Sequence, residues 1–128
     1  MDNAGFKDLK VYKIAYSLAM EIFEISKSFP KEETYALSDQ IRRSSRSICA
    51  NLAEGYRKRK YPKHFVSKLL DCDGECSETL VWLDFAKDCK YITPEKHSEL
   101  AAICKAVGAM LGAMSNSAEK FLPRDNKL

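Results

Sequence analysis

Six apolar residues near the start of this chain, Val11, Ala15, Leu18, Ile22, Ile25 and Phe29, follow one another at intervals of four, three, four, three and four. That rhythm lines them up on one stripe of an α-helix and is incompatible with the alternation of a strand. It returns three times. Ile41, Ile48 and Leu52, widened by Ser45 and Tyr56, make a second stripe, and Phe65, Leu69, Cys72, Cys76, Leu80, Leu83 and Ala86, broadened by Trp82, Phe85 and Cys89, a third. Leu100, Ile103, Val107, Met110, Met114, Ala118 and Phe121 make the fourth. Helices with one apolar stripe must bury it against each other. Four of them joined by short connections predict an all-α fold, an antiparallel up-down-up-down four-helix bundle, with residues 1–128 as one domain.

The breaks between stripes agree with this. Pro30 stops the first helix by forcing Phe29 out of the α region. The polar connection KEETYAL then leads to Ser38, read as an N-cap with Asp39 in the first turn, and the second helix is predicted over 39–59. Tyr61-Pro62 separates it from a third helix running to Tyr91 and interrupted by Gly74. Thr93-Pro94-Glu95 is a helix start. The N-terminus shows no signal-peptide pattern and no apolar run reaches the roughly 20 residues of a bilayer span, so a cytoplasmic protein with no membrane association is expected. The five cysteines are odd in number and lie in helical patterns, as reduced core thiols would.

Charge is segregated. The stretch from Gln40 to Lys68 holds nine basic residues against the single acid Glu54, a net +8, and the remaining 12 basic and 17 acidic residues sum to −5. Such separation speaks to partners more than to fold. At 100° per residue, Arg42, Arg43, Arg46 and Arg57 fall on the outward side of the second helix, opposite Ile41. With Lys58, Arg59, Lys60 and Lys63 they form a candidate nucleic-acid-binding surface, interleaved with Tyr56, Tyr61 and His64 as stacking partners. The alternatives are a solvated helix face, or pairing with the acidic remainder of a second copy. Gln40, Ser44, Ser47, Asn51, Glu54 and Lys58 form a separate polar stripe at bundle-seam spacing, read as a structural or assembly element.

The other candidates are weaker. Cys72, Cys76 and His64 lack a metal-site spacing, and Asp71, Asp73, Glu75 and Glu78 lack the glycine and ligand alternation of a calcium loop. The acids read as a solvated face, or as partners for the basic stretch of another subunit. Ala101, Ala102, Ala106, Gly108, Ala109, Gly112 and Ala113 give the fourth helix a side of small residues, suited either to close packing inside the bundle or to a subunit contact. No nucleophile, catalytic residue, metal set or phosphate cradle emerges, so neither an enzyme nor a cofactor is expected.

The blocks LSDQIRRSS (Leu37 to Ser45), Ser47-Ile48 and NLAEGY (Asn51 to Tyr56), with Phe29-Pro30, Glu33 and the opening Phe6 to Tyr12, resemble the signature of the bacterial 23S rRNA intervening-sequence proteins, also called S23-like. Tyr91-Ile92 fits the end of that family's third helix. The resemblance spans nearly the whole chain. It implies a small four-helix bundle with a basic surface, assembled as a ring-like homo-oligomer, most often a pentamer, and of poorly defined biochemical role. A related branch, the accessory variability proteins of diversity-generating retroelements, binds nucleic acid and a reverse transcriptase. The matching positions are Gln40, Arg42, Arg43, Ser47, Asn51, Glu54 and Gly55, and no catalytic role comes with them. Two departures stand out: Lys60-Tyr61-Pro62 adds charge at the basic corner, and Cys72-Asp73-Gly74-Glu75-Cys76 adds acids to the third helix.

The function expected is a non-enzymatic, oligomeric RNA- or DNA-binding protein. The alternative is a scaffold that recruits a protein partner such as a reverse transcriptase, without touching nucleic acid.

Overall fold

The computed structural model describes residues 5–123, and all regular structure within them is helical. Four long helices form the bundle: α1 (Lys10–Ser26), α2 (Asp39–Arg57), α3 (Pro62–Asp88) and α4 (Pro94–Asn116). Each packs on the next, and α4 returns to α1, closing an up-down-up-down ring. Cross-helix pairs fix the antiparallel register. Arg43 meets Glu78, Ser44 meets Thr79, Ile48 meets Cys72 and Glu54 meets Lys68, so α3 runs backwards along α2. Cys76 beside Cys104, and Asp84 beside His97, show the same for α3 and α4.

The core is the predicted set with shifts of one residue. Ala15, Leu18, Ile22, Ile41, Ile48, Phe65, Leu83, Leu100 and Val107 are fully buried. On α3 the stripe passes through Thr79, where Leu80 was expected, and Phe85 and Cys89 face solvent. On α4, Cys104 and Leu111 take the central places and Ile103 and Met110 become flanking. These shifts arise because a long straight helix drifts against a four-three rhythm. Leaving Leu80 for Thr79 is tolerable because the Thr79 hydroxyl is doubly bonded, to Glu75 O and Ser44 Oγ, both at 2.8 Å.

Two connections differ from expectation. Residues 31–38 are helical: a short turn (Lys31–Glu33) runs into a wide, π-type turn (Thr34–Ser38) that continues directly into α2. Ser38 therefore has helical dihedrals and makes no cap. Its buried neighbour Leu37 anchors this turn to the core, which a polar-connection reading overlooked. Between α3 and α4, Lys90 adopts φ 66°, and Tyr91 N and Lys90 N donate to Ala86 O and Lys87 O, a Schellman closure with lysine where glycine is usual. Tyr91 then packs on Phe29 at 5.6 Å and donates to Glu33 Oε2 at 2.7 Å, tying the α1–α2 and α3–α4 connections together at that end. The α4 start is as predicted: Thr93 Oγ1 accepts from Lys96 N at 3.0 Å ahead of Pro94.

The small residues of α4 divide. Ala101 is buried and Gly108 lies against Asp73, but Ala102, Ala106, Ala109, Gly112 and Ala113 are exposed, so packing inside this bundle does not account for them. By length and composition alone α4 is long and apolar enough to cross a membrane, and about a third of that stretch is buried in the bundle. Lys105 lies within it, so the chain still has no unbroken apolar run of roughly 20 residues.

Candidate nucleic-acid interface

The arginines of α2 do not act as one face. Arg43 leans towards α3, where its guanidinium bonds Glu78 Oε2 and lies 3.7 Å from Glu75 Oε1. Arg42 leans the other way, donating from Nε to Ser26 Oγ of α1 at 2.6 Å, with its guanidinium 5.0 Å from the Phe23 ring centre. Arg46 also sits over Phe23, at 5.6 Å. Asp39, Arg42, Arg43, Arg46, Ser47 and Ala50, all on α2, line a shallow groove along that helix. Arg46, Arg57 and Lys63 are exposed and make no ion pair with another described residue.

At the α2–α3 corner the basic residues surround aromatic rings. Arg59 donates to Tyr56 O and lies 4.0 Å from its ring, Lys60 is 5.9 Å from the ring of Tyr61, and Tyr61 meets His64 edge to face at 6.0 Å. Arg57 and Lys58 end the helix beside them. Gly55 lets α3 come this close, since a Cβ there would stand 2.9 Å from Lys68 Cβ.

The polar stripe faces α3 of the same chain for much of its length. Ser44 is fully buried and bonded to Thr79, and Glu54 pairs with Lys68 at 2.7 Å. Asn51 donates to Ser47 O one turn back, and Gln40 is half-buried with no side-chain hydrogen bond to another described residue. Lys58 is exposed near Glu54. The acids of α3 are likewise engaged at home: Glu75 and Glu78 by Arg43, Asp71 by Lys68 at 3.8 Å. Pairing within one chain was not among the readings of those acids, because residues 35 apart have no visible relation until the helix register is known.

These pairs shift the carboxylates. The hydrogen bond from Arg43 holds Glu78 below the usual carboxylate range, against opposing desolvation, and Lys68 does the same for Glu54. A lowered folded-state pKa stabilises the fold above the unfolded value of about 4.3, and that contribution is lost as pH falls through the folded value. Stability in urea is expected to hold from pH 7 to about 5 and decline below about 4.3, with Glu78→Gln flattening part of the acid limb.

Among the described residues, no group of three or more His, Cys, Asp or Glu could hold a metal. Burial pushes Cys72 up to about 12 and Cys49 up to about 11, so neither offers a thiolate at neutral pH. The sequence reading missed Phe23 and Ser26 of α1 and Lys27 at its C-cap: Ser26 bonds Arg42, and Arg42, Arg46 and Lys27 gather at the Phe23 ring. Their signal was Phe23 and Lys27 at i, i+4, beside the seam and easily passed over.

A four-helix bundle whose second helix carries a groove lined by Arg42, Arg43 and Arg46, of which Arg43 alone is ion-paired with another described residue, is what the geometry defines. The model of the 23S rRNA-intervening sequence protein family matches residues 7–113, and the chain belongs to that family. A crystal structure from Bacteroides thetaiotaomicron VPI-5482, described as a protein of unknown function from the S23 ribosomal protein family, superposes with TM-score 0.74 at 26% identity. The match covers 83% of this chain and 95% of that one. No curated protein matches. The family and that structure carry no known enzymatic role.

Proposed function

We propose that this protein is a non-enzymatic nucleic-acid-binding protein that engages RNA through phosphate contacts from Arg42, Arg46, Arg57, Lys58, Lys60 and Lys63, and works as a homo-oligomer, a pentamer as the resemblance implies. The observation that carries it is the imbalance of pairing. Glu75 and Glu78 of α3 engage Arg43, and Glu54 of α2 with Asp71 engages Lys68, which leaves Arg46, Arg57 and Lys63 without a carboxylate among the described residues. Unpaired cations on one side attract polyanions, and a ring of copies would raise a weak patch to useful avidity. Arg59 and Tyr61 add a stacking surface at the corner, as unpaired RNA bases use.

The scaffold reading has its own support. Leu70, Val81 and Phe85 form an apolar line on the outside of α3, 61%, 47% and 55% exposed, and the exposed small residues of α4 offer a second contact surface. Such faces suit a subunit contact or a protein partner, for instance a reverse transcriptase. Titrating a structured RNA hairpin at 50 to 300 mM salt separates the readings. Nucleic-acid binding requires log affinity to fall linearly with log salt, while a flat response or no binding leaves only the scaffold.

A further inference from the structure

Phe23 gathers three cations. Lys27 Nζ lies 4.8 Å from its ring centre, Arg42 Cζ 5.0 Å and Arg46 Cζ 5.6 Å. The two residues from α2 and the one from α1 meet where the helices cross in register. A ring attracts each cation through its quadrupole, but the cations repel one another. The acids nearby are few: Glu24 holds Lys27 at 3.3 Å, and Asp39 lines the groove.

Arg42 is fixed in place. Its Nε is occupied by Ser26 Oγ at 2.6 Å, and that hydroxyl, on a residue 3% exposed, itself donates to Phe23 O at 2.9 Å. The two terminal nitrogens of Arg42 make no hydrogen bond to another described residue, and neither does any side-chain nitrogen of Arg46. A guanidinium anchored through Nε presents its Nη groups as a fork matched to two phosphate oxygens. Lys27, as the C-cap of α1, also offsets the partial negative charge of the carbonyls there.

We propose that Lys27, Arg42 and Arg46, held around Phe23, form a discrete phosphate-binding site between α1 and α2. This deepens the nucleic-acid reading and rests on it for the backbone phosphodiester as occupant; a free phosphate shares the same chemistry. Ser26 and Phe23 are positioning residues. They hold the fork and the ring and need not touch the anion.

The test uses Lys27→Ala and Phe23→Leu in the full chain, titrated with inorganic phosphate and with a ten-nucleotide oligouridylate, with Arg57→Ala as a control outside the site. Lys27 is exposed, so its replacement leaves the core intact, and a melting curve checks this. The wild type is expected to bind oligouridylate, Lys27→Ala to lower the log–log salt slope by about 0.7, and Phe23→Leu to weaken binding by releasing Arg42 and Arg46. Arg57→Ala lowers the slope for oligouridylate but leaves inorganic phosphate unaffected. A lowered slope without measurable inorganic phosphate binding assigns the site to polymer phosphodiesters. Inorganic phosphate binding that Lys27→Ala abolishes, with the oligouridylate slope unchanged, assigns it to free phosphate. If Lys27→Ala and Phe23→Leu shift only the melting temperature and leave both titrations as in wild type, the cluster is merely structural and the proposal is overturned. The nucleic-acid reading would survive that result and fails separately, if wild type shows no salt dependence.

Discussion

Replacing Arg42 and Arg46 together by alanine is expected to lower the log–log salt slope for RNA by about 1.4 to 1.8, since each phosphate contact contributes roughly 0.7 on single strands and 0.9 on duplex. The two side chains share Phe23, so their effects should not be independent: the ring that holds one guanidinium helps set the other. Stability should fall less than affinity, because Arg46 is exposed and the losses are the Arg42–Ser26 hydrogen bond, about 1 kcal/mol, and two ring contacts to Phe23 of about 0.5–1 kcal/mol each. Fluorescence anisotropy with a labelled hairpin at several salt concentrations measures the slope. A double variant with the wild-type slope would remove this groove from the interface.

Gly55→Val is expected to destabilise the bundle by about 2 kcal/mol, the usual scale of forcing methyl groups into a packed contact. The reason is local. A Cβ at position 55 meets Lys68 Cβ at 2.9 Å and Phe65 Cδ1 at 3.7 Å. Neither can retreat, since Lys68 Cβ sits next to backbone and Phe65 is fully buried against Phe121. Valine recovers a few tenths of a kcal/mol of helix propensity over glycine, too little to offset the clash. Gly74→Ala is the control: nothing lies within 4 Å of its Cβ position, so it should stabilise by about 0.5–1 kcal/mol. Chemical denaturation of both variants tests the pair. Equal effects would mean that α2 and α3 are not packed as closely as the register here places them.

Much of this was legible beforehand, and the failures have physical causes. The apolar rhythm of α1, the Thr93-Pro94 start of α4 and the Ile41-Ile48-Leu52 line all carry their own periodicity or capping chemistry. Ser38 misled because a serine before an acid has the same appearance whether it caps a helix or lies inside a π-type turn; burial of Leu37 decides. Phe85 was counted as core because it is aromatic, yet it points outward, about 200° around α3 from buried Leu83 and on the same side as Val81. The arginines were the hardest. A helical wheel places Arg42 and Arg43 one step apart on an outer face, but long side chains choose partners on neighbouring helices. Ser26 and Phe23 draw one towards α1, Glu75 and Glu78 draw the other towards α3. Sequence alone cannot supply that choice, since it depends on which helix lies on which side.

The division of the arginines is the centre of this account: Arg43 builds the bundle, and Arg46 with its neighbours is left for a polyanion. The most direct measurement compares Arg43→Ala with Arg46→Ala for both unfolding in urea and RNA affinity against salt. Arg43→Ala should lower stability, because Glu75 and Glu78 lose their counter-charge, and leave the salt slope at the wild-type value. Arg46→Ala should do the reverse, with near wild-type stability and a slope lower by about 0.7 to 0.9. If Arg43→Ala lowers the slope as much as Arg46→Ala does, or if neither changes it, the account is wrong.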